Sequence, residues 1–198
     1  MSEAPLLTER FRAALDYAAR LHERQVRKGS GVPYLSHLLS VSALVLEDGG
    51  DEDEAIAGLL HDAVEDQGGR ATLQEIRRRF GDRVARLVEG CTDADSVPKP
   101  PWRERKERYV AHIAQAPADV RRVSSADKVH NARSILADLR RSGDSVWSRF
   151  TADRSSVLWY YRALTEAFRA AGGGFLAEEL ARVVAEIENA GSPAAKER

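Results

Sequence analysis

Residues 51–66 read Asp51-Glu52-Asp53-Glu54-Ala55-Ile56-Ala57-Gly58-Leu59-Leu60-His61-Asp62-Ala63-Val64-Glu65-Asp66. The stretch opens with capping-box spacing, Asp51 standing where Ser or Thr is usual and Glu54 three positions on, which marks a helix start. Ile56, Leu59, Leu60 and Val64 follow at helical intervals, so the segment predicts one helix from Asp51 to Asp66, ended by Gln67-Gly68-Gly69. Its last turns carry His61, Asp62, Glu65 and Asp66 among apolar residues. Burying an isolated charge there costs on the order of several kcal/mol, so these groups must be paired, protonated or bound to metal. Metal ligation resolves the cost most completely. His61 and Glu65 are four apart, as are Asp62 and Asp66, so each pair stacks one turn, about 5.4 Å, along a helix flank. An ion held by His61 and Asp62 would sit near Glu65 and Asp66, which could then handle a water without filling the coordination sphere.

Working outward, the same periodicity recurs. Thr8 is a candidate N-cap for a first helix reaching about Arg24, with Phe11, Leu15, Ala18 and Leu21 at helical spacing. The run QVRKGSGVPYLSH, residues 25–37, breaks it, and Pro33 suits the first turn of a second helix that turns Leu38, Val41, Leu44 and Val45 inward and ends near Gly49 and Gly50. Thr72 and Glu75 repeat the capping-box spacing for a short helix stopping at Gly81, and Asp82 caps another to about Glu89. Three prolines in SVPKPPW, residues 96–102, predict a loop. Further helices are expected over about 103–115, 118–139, 153–171 and 176–189, then a frayed tail. Strand patterns are nearly absent, so the fold is expected to be all-α.

A chain of 198 residues suits a single domain. Its 43% hydrophobic and 31% charged residues are those of a globular protein, which sets disorder aside. No apolar run approaches the roughly 20 residues that cross a bilayer, so no membrane association is expected. The start, MSEAPLLTERF, lacks the basic and apolar pattern of a secretory signal, and the lone Cys91 fits a reducing compartment, so the expectation is cytoplasmic. Cys91 is read as a packing residue. With 30 Lys+Arg against 31 Asp+Glu the net charge is −1, which offers no bulk field for a nucleic-acid backbone. The expected partner is a small phosphorylated molecule held by a few converging cations.

The His61-Asp62 pair does not stand alone. His37 lies at the start of the preceding helix beside Pro33 and Tyr34, and Asp127 lies in the polar island Ser125-Ala126-Asp127-Lys128-Val129-His130-Asn131. The ordered set His37, His61-Asp62, Asp127 resembles the H…HD…D signature of the HD-superfamily phosphohydrolases. The fuller pattern is more specific. Residues 27–37, RKGSGVPYLSH, residues 61–66, HDAVED, and residues 126–131, ADKVHN, resemble the hydrolase domain of the Rel/SpoT proteins and the small alarmone hydrolases. Cys91-Thr92-Asp93 is similar to that family's xTD.

The likeness is strong over about residues 8–140 and weak over the last two helices, at about 153–189. It implies an all-α HD-domain helical bundle, residues 1–198 forming a single HD hydrolase domain. It further implies that His37, His61, Asp62 and Asp127 hold one divalent ion, usually manganese. Mixed imidazole and carboxylate ligands agree, suiting Mn²⁺ or another transition metal such as Fe²⁺ better than Mg²⁺. By the same likeness Glu65 and Asp66 orient or deprotonate the attacking water, and Asn131 contacts the nucleotide. Arg27 and Lys28 could be a solvated basic turn, yet their place before His37 favours contact with phosphate or base, and Tyr34 joins them as a pocket residue. The family's synthetase and regulatory domains have no counterpart here, so the activity expected is degradation.

The implied reaction is removal of the 3′-pyrophosphate of guanosine tetra- or pentaphosphate. The rivals are an HD phosphatase acting on another nucleotide or NADPH, and a non-catalytic nucleotide sensor, which the presence of both Glu65 and Asp66 disfavours. His22 and His112 are read as ordinary surface or packing histidines, and His130 falls outside the ligand pattern. The alternating run Arg103-Glu104-Arg105-Lys106-Glu107-Arg108 reads as a solvated helix face. The resemblance to the small alarmone hydrolases also implies a late-helix aromatic on the ligand, for which Trp159, Tyr160 and Tyr161 are the candidates, with core packing expected for at least two.

Overall fold

A computed structural model describes residues 7–93 and 100–190. Among them stand ten α-helices: α1 (Glu9–Leu21), α2 (Leu35–Glu47), α3 (Glu52–Leu60), α4 (Ala63–Asp66), α5 (Gly69–Phe80), α6 (Asp82–Cys91), α7 (Trp102–Gln115), α8 (Ala118–Ser142), α9 (Arg154–Ala170) and α10 (Phe175–Ala190). A 3₁₀ helix over Gly143–Arg149 and one isolated bridge, Val26 to Pro33, complete the elements, so the fold is all-α as expected. The residues gather in two compact units, one running to Pro100 with Ala116–Ala126, the other Pro101–Gln115 with Asp127 onward.

In the first unit, α2 lies against α3 at close range. A Cβ on Gly58 would stand 3.0 Å from the Ser42 Cα, so any larger residue would push the two backbones apart by a few tenths of an ångström. The Ser42 hydroxyl donates to the Ala55 carbonyl at 2.9 Å across the same contact. Leu38, Val41, Val45, Ile56, Leu59 and Leu60 are buried around it, and Ile76, Val84 and Val88 bring α5 and α6 into the core. Asp51 caps α3 with the full reciprocal box, the Glu54 backbone N–H donating to Asp51 and the Asp51 N–H to Glu54. Thr8 caps α1, as its position predicts.

Several local expectations are corrected. The helix expected from Asp51 to Asp66 is interrupted at His61-Asp62, where Asp62 flattens to ψ −4° and α4 begins one residue later. Helix α5 starts at Gly69, so Thr72 is not its cap; its hydroxyl donates back to the carbonyl of Gln67, which ends α4, at 2.7 Å. Gly81, at φ +93°, holds the cap position of α6, and Asp82 lies in the first turn without a side-chain cap bond. Pro33 precedes the second helix and pairs with Val26, leaving Tyr34 at the cap position. Trp102, assigned to the proline loop, opens α7, while residues 96–99 of that loop and the tail from 191 lie outside the described residues.

The second unit packs α9 against α7 and α10. Tyr109, Ile113, Leu164, Phe168, Leu180, Val183 and Ile187 form its core. Arginines tie α8 to α10, with Arg133 on Glu179 at 2.8 Å and Arg140 on Glu186 at 2.6 Å. The run 103–108 is solvated on one side only: Arg103 pairs with Glu107 and Arg108 with Glu104, but Arg105 and Lys106 are half-buried. Lys106 Nζ lies 4.8 Å over the Tyr160 ring and the Arg103 guanidinium 3.2 Å over Trp159. Tyr160 and Tyr161 are buried. No described helix is long and apolar enough to cross a membrane.

Candidate metal centre

The connector from α1 to α2 is a tight hairpin. The Arg27 N–H donates to the Val32 carbonyl at 2.7 Å and the Tyr34 N–H to the Gln25 carbonyl at 2.9 Å, while Gly29 and Gly31 turn the tip at φ +85° and +71°. Those left-handed angles suit glycine, and the hairpin delivers Tyr34 to the cap position of α2 and His37 to its first turn.

His37 and His61 are buried, and each offers a ring nitrogen within 4.8 Å of the other. Their rings meet edge to face with centroids 5.1 Å apart. His61 Nδ1 lies 2.9 Å from the Gly58 carbonyl, which accepts only, so that nitrogen carries the proton. The lone pair of the ring then sits on Nε2, the nitrogen able to bind a metal, 3.0 Å from Asp62 Oδ2. His37 Nε2 lies 3.5 Å from the same oxygen, and the Tyr34 hydroxyl donates to it at 2.6 Å. Two imidazoles and a carboxylate thus converge, and the break between α3 and α4 turns the Asp62 side chain toward them.

Beyond the break, Glu65 is half-buried and Asp66 exposed. Asp66 Oδ2 accepts from the Gln25 side-chain amide at 2.8 Å, and Gln67 donates to Gln25 at 2.6 Å. Arg27 is half-buried with its guanidinium 5.7 Å over the Tyr34 ring, and Lys28 is exposed. On α8, Asp127 is buried and follows directly on Ala126, the last residue that helix contributes to the first unit. Its carboxylate accepts from the Asn131 amide and from Lys128 Nζ at 2.5 Å. Burial works to lower the Lys128 pKa, but the Asp127 carboxylate and the Tyr160 and Tyr109 rings outweigh it, so the lysine stays charged. Sequence reasoning sets His22 aside as ordinary and gives Gln25 no part. Both are bonded into this cluster, and the readable signal is that Ala14, Ala18 and His22 share one buried helix stripe.

The donor set, two neutral-capable imidazoles and carboxylates, fits a borderline divalent metal. The HD domain model matches residues 14–158, a span that holds His37, His61, Asp62, Glu65, Asp66, Asp127 and Asn131. The chain belongs to the HD domain family. Human guanosine-3′,5′-bis(diphosphate) 3′-pyrophosphohydrolase MESH1 is 39% identical to it over 150 residues, covering 74% of this chain and 76% of that protein. The Aquifex aeolicus guanosine-3′,5′-bis(diphosphate) 3′-pyrophosphohydrolase is 35% identical over 137 residues, 68% of this chain and 19% of that longer one. A solved structure, described as a metazoan ortholog of SpoT that hydrolyzes ppGpp, matches this HD domain with a TM-score of 0.76 and 27% identity over 92% of this chain and 98% of that one.

Proposed function

We propose that this HD-domain chain is a Mn²⁺-dependent phosphohydrolase that removes the 3′-pyrophosphate of guanosine tetra- and pentaphosphate, giving GDP or GTP and pyrophosphate. The observation that carries the reading is the convergence of His37, His61 and Asp62, in a chain whose relatives are named for this reaction. In this reading Asp127 supplies the fourth ligand. A divalent ion in that set supplies Lewis acidity, which makes a water a stronger acid and draws charge from a phosphoryl oxygen. The residues then divide the remaining work. Gly58 fixes the His61 tautomer, Tyr34 steadies Asp62, and Asn131 steadies Asp127.

Glu65 and Asp66 are the acids for the water, orienting it and taking its proton as the oxygen attacks phosphorus. Arg27 and Lys28 meet the guanine or its phosphates, Arg27 through a flat guanidinium already partly ordered over Tyr34. Tyr34 and Asn131 remain pocket residues in this reading while each also donates to a ligand carboxylate. Residues 1–198 act as one HD hydrolase domain, and the cytoplasm suits its single, buried cysteine, Cys91.

The test is the purified protein with Mn²⁺ and a panel of guanosine tetraphosphate, GTP, deoxynucleotides and NADPH, with products separated by chromatography. GDP and pyrophosphate from the tetraphosphate, at a kcat/KM well above the others, is the expected result. Comparable values across the panel would leave a general HD phosphohydrolase. Tight binding without turnover would leave a sensor.

A further inference from the structure

His22 and Gln25 have no part in the reaction as described, yet they stand directly behind its acids. His22 is 3% exposed, with Nδ1 2.6 Å from Gln25 Oε1. Gln67 Nε2 donates to the same oxygen at 2.6 Å, and Gln25 Nε2 donates to Asp66 Oδ2 at 2.8 Å. A carboxamide has an acceptor end and a donor end that cannot exchange roles. Two donors converge on the Gln25 oxygen, so its NH₂ must face Asp66. The reverse orientation would set that oxygen against the Asp66 carboxylate. The same logic puts a proton on His22 Nδ1, since the Gln25 oxygen only accepts.

The face of the imidazole is also engaged. The His22 ring stacks on Tyr34 with centroids 5.3 Å apart and planes 16° from parallel, and the Tyr34 hydroxyl reaches Asp62. The backbone holds both partners in place, with the Gln25 N–H on the His22 carbonyl at 3.0 Å and the Tyr34 N–H on the Gln25 carbonyl at 2.9 Å. One buried histidine therefore backs two carboxylates, Asp62 through a phenol and Asp66 through an amide. Both links are neutral donors, which order a carboxylate without cancelling its charge.

We infer that His22 and Gln25 are positioning residues for the hydrolytic step: the His22 Nδ1–H locks the Gln25 amide, and the Gln25 NH₂ holds Asp66 in its working orientation. This rests on the reading that Asp66 acts on the water. A residue that merely packs the connector would change stability or binding. A positioning residue changes kcat.

The full chain with Mn²⁺ tests it, wild type beside His22→Leu, His22→Asn, Gln25→Glu and Gln25→Met. His22→Leu is expected to lower kcat roughly 10–100-fold, the scale for outer-shell partners, with KM and bound metal at wild-type values. His22→Asn should recover most of that loss, because its side-chain N–H can stand where Nδ1–H stands. Gln25→Glu should fall at least as far as Gln25→Met, since it sets an acceptor against Asp66. The half-buried Gln25 variants keep the test decisive if His22→Leu does not fold. Wild-type kcat in both Gln25 variants, or equal loss in His22→Asn and His22→Leu, would overturn the inference while leaving the proposed function intact. A wild-type enzyme that cleaves only another nucleotide overturns the substrate assignment alone, and the same kcat ratios are then read on that nucleotide. Wild-type protein silent on every nucleotide overturns both.

Discussion

The two ends of α3 are both rich in acid, and they are built in opposite ways. At the N-terminal end, carboxylates meet guanidinium groups: Asp51 and Arg83 at 2.5 Å, Asp53 and Arg10 at 2.8 Å, Glu52 and Arg10 at 3.4 Å, and buried Glu54 bonded to Arg122. Past the C-terminal end, Asp62 accepts from a phenol and faces two imidazoles, and Asp66 accepts from a carboxamide. A guanidinium cancels the charge it binds, whereas a neutral donor orders the carboxylate and leaves its charge in place. The first end holds the fold together. The second brings together the imidazoles and the carboxylate on which the proposed metal reading rests.

The sharpest way to break this contrast is to remove a ligand. Asp62→Ala and His61→Ala are expected to lose bound Mn²⁺, read by elemental analysis after desalting. Turnover should fall by more than the ~10²–10⁴-fold that a positioned acid or base contributes, because metal and water are lost together. Chelation of the wild type should do the same, and added Mn²⁺ should restore it. Either variant retaining stoichiometric metal and near-normal rate would make both ends of α3 structural.

Glu65→Gln comes next. It should keep metal and nucleotide affinity and lose kcat by about 10²–10⁴-fold, separating the acids on α4 from the ligands at the break before it. Loss of metal along with rate would move Glu65 into the ligand set.

The two ends were also unequally legible. The capping box at Asp51 is local, residues three apart bonding to each other, so spacing alone reveals it. The ordered set His37, His61-Asp62, Asp127 was legible as a family pattern, and the HD domain match spans all four residues. The break at His61-Asp62 was not. Leu60 and Val64 continue the apolar period across it, and nothing in that period marks the histidine ring that bonds back to Gly58 inside the packed core. Thr72 misled for a related reason: Gly68 and Gly69, at φ +125° and +62°, start the helix earlier than the capping-box spacing suggests. His22 reads as ordinary and Gln25 has no part in the pattern because their partner Asp66 is some forty residues away, and only the tertiary fold brings them together.

A smaller effect is expected at the structural end. Arg122→Ala leaves the buried Glu54 carboxylate short of its guanidinium partner, with Arg83 at 3.8 Å as the remaining cation. Hydrogen bonds to charged groups contribute about 1.5–3 kcal/mol, so a loss of about 2 kcal/mol is expected in chemical denaturation. Bound metal and kcat should stay at wild-type values. A variant that lost metal instead would show the two ends to be coupled.

The smallest effect is in acid. Burial pushes the Asp51 carboxyl up, but the Glu54 backbone N–H and the Arg83 side chain outweigh it and hold the pKa below the ordinary 3.8. A carboxyl depressed in the folded state contributes stability that is fully present above its unfolded value and is lost as pH falls through the folded one. Asp51→Asn keeps an acceptor able to cap α3 but carries no charge for Arg83. Melting curves of wild type and Asp51→Asn should therefore differ above pH 3.8, wild type being the more stable, and converge as the pH falls below it. With the Asp51 side chain 48% exposed, solvent screening holds the difference to roughly 1 kcal/mol or less. Convergence at neutral pH and divergence in acid would reverse the sign, and would mean that the arginines at this end do not bind ionised carboxylates in the way that distinguishes it from the other.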